Sequence, residues 1–453
     1  MTLQKNMRLE MTVEDFGAQG EGICRHDGMA VFVPRALPGE RILAQIVKVE
    51  KRHAFARVVE VLEASPARVE PPCPYYVQCG GCVCQHMDYP SQLRFKQKQV
   101  EGVMRHIAGL DIEVQETIGM EEPWHYRNKT ALPVAGNIEK PLIGYYAQRS
   151  HRVVEIDKCL IAREQSDTAN SVVRAWMQEC KISPYCEETH KGLIRHVMTR
   201  VNRKGESMVV LVINGDALPK WQTLLKKLQE ALPGLISLCI SVNKARGNVI
   251  LGRSYDVLWG KDRLPDVLCG HEFQLSPLSF FQVNPVQTEK LYGTALKFAG
   301  LEGNELVADV YCGAGTISLM LARHARHVVG IEIVQQAIAD AKENARRNGV
   351  ENAEFRVGAA EDVLPKLVED GLRPDVIVID PPRKGCEESV LKAIAKAKPK
   401  RVVYVSCNPA TQARDAKILC ENGYDATACQ PVDMFCQTAG VENVMQFILN
   451  ERK

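Results

Sequence analysis

The sequence of 453 residues lacks any long apolar run. No stretch approaches the roughly 18 consecutive apolar residues that a membrane-spanning helix requires. The first residues, Met1 to Arg8, are polar and contain no apolar core of the kind found in a secretory signal peptide. We therefore expect a protein without a membrane span that is not exported, and a cytoplasmic location is the default.

The sequence also lacks an excess of charge of either sign. There are 57 Lys and Arg residues against 55 Asp and Glu residues, which leaves a net charge of +2. This balance gives no long-range attraction to nucleic acid, so any such binding has to come from local patches. Residues 191–204 form one patch, with basic residues and no acidic ones. It is as typical of a solvated face as of an RNA contact.

The length exceeds that of one ordinary hydrophobic core, so we expect three domains. Residues 1–66 read as four short strands between Gly- and Pro-bearing turns, which predicts a small β-barrel. Barrels of the oligonucleotide-binding type accept nucleic acid, although a purely structural barrel remains open. Residues 67–265 predict an α+β domain that contains a cysteine cluster, and residues 266–453 predict an α/β domain.

Sixteen cysteines in a chain without an export signal point to metal binding or catalysis rather than to disulfides. Three of them form a C-x5-C-x2-C array: Cys73, Cys79 and Cys82. Thiolates this close together repel one another unless a cation holds them. Zinc could take Cys84 or His86 as a fourth ligand, whereas an iron–sulfur cluster would use a thiolate from elsewhere in the chain, for which Cys159 is the candidate.

The last third of the sequence begins with a strand, a glycine turn and a helix. The pattern Asp309-x-x-x-Gly313-x-Gly315 lets the backbone approach a nucleotide-like ligand closely. A pyrophosphate is not expected, because Ser318 stands where a dinucleotide fingerprint needs a third glycine. The next strand delivers Glu332, about 20 residues after the turn, where an acid can accept both ribose hydroxyls.

A later strand of the same series ends in Asp380-Pro-Pro-Arg383. The ordered series looks like an S-adenosylmethionine-dependent methyltransferase of the Rossmann-like class, with another doubly wound nucleotide binder as the alternative. In amino-group methyltransferases an aromatic residue stands where this chain has Arg383. Cytosine-C5 enzymes place a cysteine in this loop, and this loop has none.

A cysteine lies one strand later, at Cys407, where a β-branched run ends in a turn. An isolated cysteine is more often buried and inert than reactive. A thiolate that adds to C6 of a pyrimidine, however, makes C5 nucleophilic enough to take a methyl group, and a base then removes the C5 proton. Glu442, at the start of a predicted strand, could be that base, although a single Glu is usually solvent-exposed.

Several motifs together resemble the RNA uracil-C5 methyltransferase family. They are Phe280–Asn284, Asp309–Gly315, Asp380–Arg383, Ser406–Thr411, and Asp433–Phe435 followed by Glu442. The start of the chain resembles a TRAM domain, and the cysteine array extends the resemblance to nearly the full length. It implies a Rossmann-like class I methyltransferase domain, preceded by a small β-barrel and an α+β domain. It points to the 23S ribosomal RNA branch rather than to the transfer-RNA branch.

The resemblance implies a role for each matching residue. Cys407 would be the nucleophile and Glu442 the base. The residues that would hold S-adenosylmethionine are Gln282, Tyr311, Glu332 and Asp380. The residues that would carry a 4Fe-4S cluster, in a structural or RNA-folding role, are Cys73, Cys79, Cys82 and Cys159. We expect an RNA substrate, no membrane partner and a monomer.

The chain departs from the family pattern in two places. Cys436 stands where the family usually has proline, and Gly440 stands where it usually has histidine, two residues before Glu442. Cys84 is additional to the four expected ligands and keeps zinc as the less favoured alternative. Two other functions remain open: a transfer-RNA uracil-C5 methyltransferase, and an RNA-binding assembly factor with a vestigial methyltransferase domain.

Overall fold

A computed structural model of the protein describes residues 3–450. Its first sheet has six strands in the order β1-β5-β6-β4-β3-β2. Their bounds are β1 Arg8–Thr12, β2 Asp15–Phe16, β3 Gly22–His26, β4 Met29–Val33, β5 Arg41–Val49 and β6 His53–Glu63. The inward-facing alternate residues enclose a separate apolar core. The small barrel is confirmed, with β2 and β3 in addition to the four expected strands.

The cysteine array follows the barrel and leads into helix α1, Tyr89–Val103. Asp88 caps this helix by accepting a hydrogen bond from the Ser91 amide. A π-helical turn, Met104–Ala108, continues the helix and ends at Gly109 in the left-handed conformation. The buried side chain of Phe95 packs on Phe16 of the barrel, with ring centroids 4.7 Å apart. Helix α1 therefore bridges the barrel and the rest of the molecule.

The second sheet has seven strands in the order β13-β12-β11-β10-β7-β8-β9. The strands are β7 Lys129–Gly136, β8 Pro141–Tyr146, β9 Val153–Glu155, β10 Ile194–Val201, β11 Ser207–Ile213, β12 Leu235–Val242 and β13 Asp256–Gly260. Helices α2 Glu164–Cys180 and α3 Trp221–Ala231 cover one face. Met198, Met208 and Val210 face the other way, into a core shared with the last part of the chain.

The last part begins with a hairpin and a helix: β14 Leu264–Leu268, β15 His271–Leu275 and α4 Pro285–Ala299. A seven-stranded sheet follows in the order β18-β17-β16-β19-β20-β22-β21. Its strands are β16 Leu306–Val310, β17 His327–Glu332, β18 Ala353–Val357, β19 Val376–Ile379, β20 Arg401–Ser406, β21 Tyr424–Val432 and β22 Glu442–Leu449. Its helices are α5 Thr316–Ala322, α6 Gln335–Arg347, α7 Ala360–Glu369, α8 Glu388–Ala397 and α9 Pro409–Glu421.

Strands β16 to β20 are parallel, and β22 and β21 close one edge of this sheet with antiparallel pairing. The chain runs outward from β16 through β17 to β18 and then returns to β19 on the other side. Ligands of open α/β sheets bind where the strand order reverses, at the carboxyl ends of the strands. The expected α/β fold is confirmed, and its ligand crevice lies at the ends of β16 and β19.

The expected division into residues 1–66, 67–265 and 266–453 stays a prediction. Strand β14 begins at Leu264, so the last expected boundary falls inside a strand. Across residues 3–450, the structure contains no helix that is both long enough and apolar enough to cross a membrane.

Candidate active site

Three of the expected site residues meet at one edge of the last sheet. Asp380 follows β19 and Cys407 follows β20, while Glu442 is the first residue of β22. Strands β20 and β22 are paired so that Ser406 lies opposite Asn443, which makes Cys407 and Glu442 cross-strand neighbours. The charges of Glu442 and Asp380 both raise the pKa of the Cys407 thiol. The structure therefore brings the expected nucleophile and the expected base together.

Glu442 is buried, with 3% of its surface exposed, whereas Asp380 is half-buried. Burial, and then the charge of Asp380, raises the pKa of Glu442 to about 8, against the opposing effect of Arg383. Burial, and then the charge of Asp309, raises the pKa of Asp380 to about 7. A carboxyl group with a pKa near 8 is a stronger base than an ordinary glutamate once it has lost its own proton. This is the property that removal of a carbon-bound proton requires.

Arg383 is a functional residue that sequence analysis noted only as a replacement for an aromatic. Burial raises the pKa of Cys407, and the charge and hydrogen bond of the Arg383 guanidinium lower it. The Arg383 carbonyl accepts hydrogen bonds from Asn408 Nδ2 at 2.9 Å and from Thr411 Oγ1 at 3.2 Å. The loop after β19 is thus fixed to the start of α9, beside Cys407. The sequence signal that could have identified Arg383 is a positively charged residue directly after Asp380-Pro-Pro.

The glycine turn after β16 fits a nucleoside. Gly313 and Gly315 have φ values of 55° and 82°, and a Cβ added at Gly313 would meet no atom within 4 Å. Glu332 accepts hydrogen bonds from the amides of Gly313 at 3.2 Å and Val334 at 2.9 Å. Beside it the apolar side chain of Ile333 is 64% exposed. Open space over the turn, a fixed acid and an exposed apolar side chain suit a ribose and an adenine ring.

Asp309 and Ser318 explain why this turn lacks a third glycine. The Ser318 hydroxyl donates a hydrogen bond to the Asp309 carboxyl group, which is completely buried. Burial raises the pKa of Asp309 to about 7, and the Ser318 hydrogen bond opposes that rise. The side chain at position 318 therefore holds the acid at the end of β16 and leaves no backbone approach of the kind a pyrophosphate uses.

The remaining expected donor-site residues, Tyr311 and Gln282, lie in two different loops. Tyr311 occupies the left-handed region with φ 71°, and its amide donates to the Ile331 carbonyl at 2.9 Å. Gln282 lies in the loop before α4, where its carbonyl accepts a hydrogen bond from Asn128 at 3.1 Å. Sequence analysis missed Tyr292, a buried side chain whose pKa is raised by burial and by the charges of Asp380 and Glu442. A tyrosine inside a helix carries no sequence signal that it lies near two carboxyl groups of the candidate site.

The four expected cluster cysteines line a single cavity. Cys159, from the loop after β9, joins Cys73, Cys79 and Cys82 of the array. Burial raises the pKa of Cys79 to about 11 and that of Cys82 to about 12, so these thiols become thiolates only if a cationic group binds them. Within residues 3–450, no three Cys, His, Asp or Glu side chains are placed to hold a single metal ion. Thiols are the donors that iron–sulfur clusters use, and the four cysteines that line this cavity match that donor type.

Cys84 and His86 lie away from this cavity. Cys84 is buried in an apolar cluster with Leu37, Met87 and Phe95. The His86 Nδ1 atom lies 2.6 Å from the Tyr76 hydroxyl oxygen. Neither side chain lines the cavity of the four cysteines.

Comparisons with known proteins agree with this geometry. A family model described as tRNA (uracil-5-)-methyltransferase matches residues 88–448, and a TRAM domain model matches residues 4–59. An uncharacterized RNA methyltransferase of Halalkalibacterium halodurans is 50% identical over 444 residues, which cover 98% of this chain and 97% of that protein. An uncharacterized RNA methyltransferase of Clostridium tetani is 45% identical, with 98% and 96% covered.

A solved structure is similar over almost the whole molecule. It is the Pyrococcus abyssi tRNA (uracil-54, C5)-methyltransferase in complex with S-adenosyl-L-homocysteine. It is 28% identical with a TM-score of 0.79, and the match covers 97% of this chain and 99% of that one. The chain therefore belongs to the tRNA (uracil-5-)-methyltransferase family of S-adenosylmethionine-dependent RNA methyltransferases, with an N-terminal TRAM domain.

Proposed function

We propose that the protein methylates carbon 5 of uracil in 23S ribosomal RNA and forms 5-methyluridine through a transient covalent bond to Cys407. The observation that carries this proposal is the convergence of Cys407, Glu442 and Asp380 beside the glycine turn. One sulfur nucleophile and one carboxylate base are the two groups that C5 methylation of a pyrimidine demands.

The reaction begins when the Cys407 thiolate adds to C6 of the uracil ring, which places negative charge on C5 and O4. Arg383 favours that thiolate because its positive charge and hydrogen bond offset the effect of burial. C5 would then form a bond to the methyl group as the bond between that group and the donor sulfur breaks, and the electron pair of the broken bond would stay on the sulfur as a neutral thioether. Glu442 takes the proton from C5, the electron pair of the C–H bond restores the C5–C6 double bond, and the Cys407 sulfur leaves C6.

Gln282, Tyr311, Glu332 and Asp380 are the residues that we assign to S-adenosylmethionine. The bound donor supplies an electrophilic methyl group on a sulfonium. Glu332, which lies at the end of β17 and is fixed by the Gly313 amide, would bind the ribose hydroxyls, and the open space at Gly313 would admit the nucleoside. Asp380 follows β19. Its charge raises the pKa of Glu442, and the charge of Asp309, at the end of β16, raises the pKa of Asp380.

Cys73, Cys79, Cys82 and Cys159 would hold a 4Fe-4S cluster. Their convergence on one cavity supports this assignment, since Cys159 is distant in sequence. A structural role fits the site, because the cavity lies between the array and the loop after β9 rather than at the carboxyl ends of the last sheet. Purification without oxygen should give a brown protein that contains iron and sulfide, and a colourless protein that contains zinc would overturn the assignment.

The choice of ribosomal RNA follows from the branch of the family that the cysteine array and the TRAM-like start resemble. A transfer-RNA substrate is the second candidate, because the similar Pyrococcus abyssi structure is of a tRNA (uracil-54, C5)-methyltransferase. We further propose a monomer that acts in the cytoplasm.

Mapping 5-methyluridine in ribosomal and transfer RNA from cells with and without the gene tests the substrate. We expect 23S ribosomal RNA to lose 5-methyluridine when the gene is deleted and to regain it when the gene is restored. Loss from transfer RNA alone would overturn the ribosomal assignment. Unchanged 5-methyluridine in both RNAs would favour an assembly factor without methyltransferase activity.

A further inference from the structure

The loop that leads into Glu442 is held by the segment that carries the cysteine array. This loop, residues 433–441, connects β21 to β22, and Val432 pairs with Glu442 across its base. The conformation of this loop therefore determines the position of the Glu442 side chain. Of the basic residues 191–204, Arg195 and Arg200 are buried and donate hydrogen bonds to backbone carbonyls of Asn243 and Ser279, so they are not free to contact RNA.

The centre of the contact is Gln437. Its carbonyl accepts hydrogen bonds from the amides of Val83 at 3.0 Å and Cys84 at 3.1 Å, the two residues directly after the cavity-lining Cys82. Its side-chain oxygen accepts from Gln92 Nε2 at 3.0 Å, and its own amide donates to Gln92 Oε1 at 3.2 Å. Gln437 is 2% exposed and has φ 68°. A non-glycine residue in that conformation persists only where its surroundings determine it.

Neighbouring residues of the loop contact the same part of the chain. The Cys436 carbonyl accepts a hydrogen bond from the Tyr126 hydroxyl at 2.9 Å. Tyr126 and Cys436 pack in one apolar cluster against Cys82 and Cys159. Two of the four cavity cysteines thus pack against the apolar cluster to which Cys436 of this loop belongs.

The first residues of the loop have a different support. Asn284 donates to the Met434 carbonyl at 3.2 Å, and Gln287 donates to the Asp433 carbonyl at 3.1 Å. Both donors belong to the start of α4, beside the crevice of the last sheet. Residues 433 and 434 are therefore held by the start of α4 in addition to the contacts of Asp433 with α1, whereas residues 436 and 437 are held by the cysteine segment, Tyr126 and α1.

We propose that occupation of the four-cysteine cavity fixes residues 436–441 and so positions Glu442, with Gln437 as the positioning residue that joins the two sites. Without a group that ties the four thiols together, the turn after Cys82 is less firmly held, and Gln437 loses the fixed position of two of its partners, the amides of Val83 and Cys84. The protein would then keep its fold and its donor site while its base becomes mobile. This inference rests on the proposed roles of Glu442 and of the cysteine cavity.

Hydrogen–deuterium exchange in the full-length protein tests the proposal without measuring methylation. Exchange of residues 436–441 is compared in the iron-loaded protein and in Cys159→Ala, which removes one cavity thiol. Cys186→Ala is the matched control, because Cys186 is exposed and does not line the cavity. Strands β19 and β20 report whether the core stays folded.

We expect exchange of residues 436–441 to become at least about tenfold faster in Cys159→Ala, with β19 and β20 unchanged and Cys186→Ala identical to the parent. Unchanged exchange of the loop would overturn the proposal. Equal loss of protection in β19 and β20 would also overturn it, because the cavity would then be a general stabiliser. Iron and sulfide analysis of the parent reports separately on the cluster. Failure of the proposed cluster can therefore be distinguished from failure of the proposed link between the cavity and Glu442.

A second variant, Gln437→Ala, breaks the connection at its other end. We expect it to retain iron and sulfide at the parent level and to show the same faster exchange of residues 438–441. Its methylation should show a lower kcat with an unchanged KM for the donor, since the Gly313 turn is untouched. Parent-like exchange in Gln437→Ala would contradict the role of Gln437.

Discussion

At the scale of single residues, the site depends on opposed effects of burial and charge. Enclosure raises the pKa values of Cys407 and Glu442, although both groups must be deprotonated to act. Arg383 opposes this rise for both. Burial disfavours the charged form of each group, so the thiolate and the carboxylate react readily once they form.

The substitution Glu442→Gln should stabilise the folded protein relative to the parent, and this advantage should grow as the pH rises. The pKa of Glu442 is raised from 4.5 to about 8, so its contribution to stability is complete below pH 4.5 and is lost as the pH rises through 8. The uncharged amide has no such loss. We expect the difference in unfolding free energy in favour of the variant to widen between about pH 5 and 8, by up to about 1.4 kcal/mol per pH unit, and the Tm difference to widen with it. A constant Tm difference would contradict the buried carboxyl group.

The substitution Arg383→Met should weaken the Cys407 nucleophile. Loss of the guanidinium removes the group that lowers the pKa of the thiol, so a smaller fraction is thiolate at neutral pH. We expect inactivation by iodoacetamide, followed as loss of methylation, to slow by about tenfold at pH 7.5 and to recover at higher pH. Arg356→Met, at an exposed pair with Glu354, is the control. Equal inactivation rates in both variants would contradict the role of Arg383.

At the scale of elements, α1 and the loop before β22 are joined by a buried ion pair. The Lys96 ammonium contacts the Asp433 carboxylate, and both side chains are fully buried. Lys96 also donates to the Phe435 carbonyl at 3.1 Å, and Tyr89 donates to Asp433 at 2.8 Å. A pair with this many hydrogen bonds fixes the relative position of two elements that are far apart in sequence.

Removal of one member of this pair should be more harmful than removal of both. Lys96→Met leaves a buried carboxylate without its cation and should cost about 3–5 kcal/mol in the free energy of unfolding. Lys96→Met with Asp433→Asn should recover part of that loss. Lys392→Met, from the exposed pair with Glu388, should cost no more than about 1 kcal/mol. Urea unfolding measures all three, and equal losses for Lys96→Met and Lys392→Met would contradict this account.

The sequence predicted elements with strong local patterns. The glycine turn after β16 and the β-branched run of β20 follow from residue types and spacing alone. Strand β2 was missed because it has two residues, and β3 was missed because it begins at Gly22 and has Ile23 as its one β-branched residue. The contacts of Gln437 and the proximity of Tyr292 to Asp380 could not be predicted, because they join segments that are far apart in the chain.

At the scale of the whole molecule, the net charge of +2 limits non-specific RNA binding. Binding that depends on a few local cations gains little from RNA that lacks the correct shape. We expect a tenfold mass excess of bulk transfer RNA to lower the initial rate of 23S ribosomal RNA methylation by less than about twofold. Strong inhibition, or methylation of the transfer RNA itself, would contradict the proposed substrate.

The most direct test of covalent catalysis uses RNA in which 5-fluorouridine replaces uridine. Fluorine at C5 cannot be removed as a proton, so the bond between Cys407 and C6 should persist after methyl transfer. We expect a stable protein–RNA adduct whose RNA fragment is mapped by mass spectrometry to Cys407, and no adduct with Cys407→Ala. An equally stable adduct with Cys407→Ala would contradict the central claim.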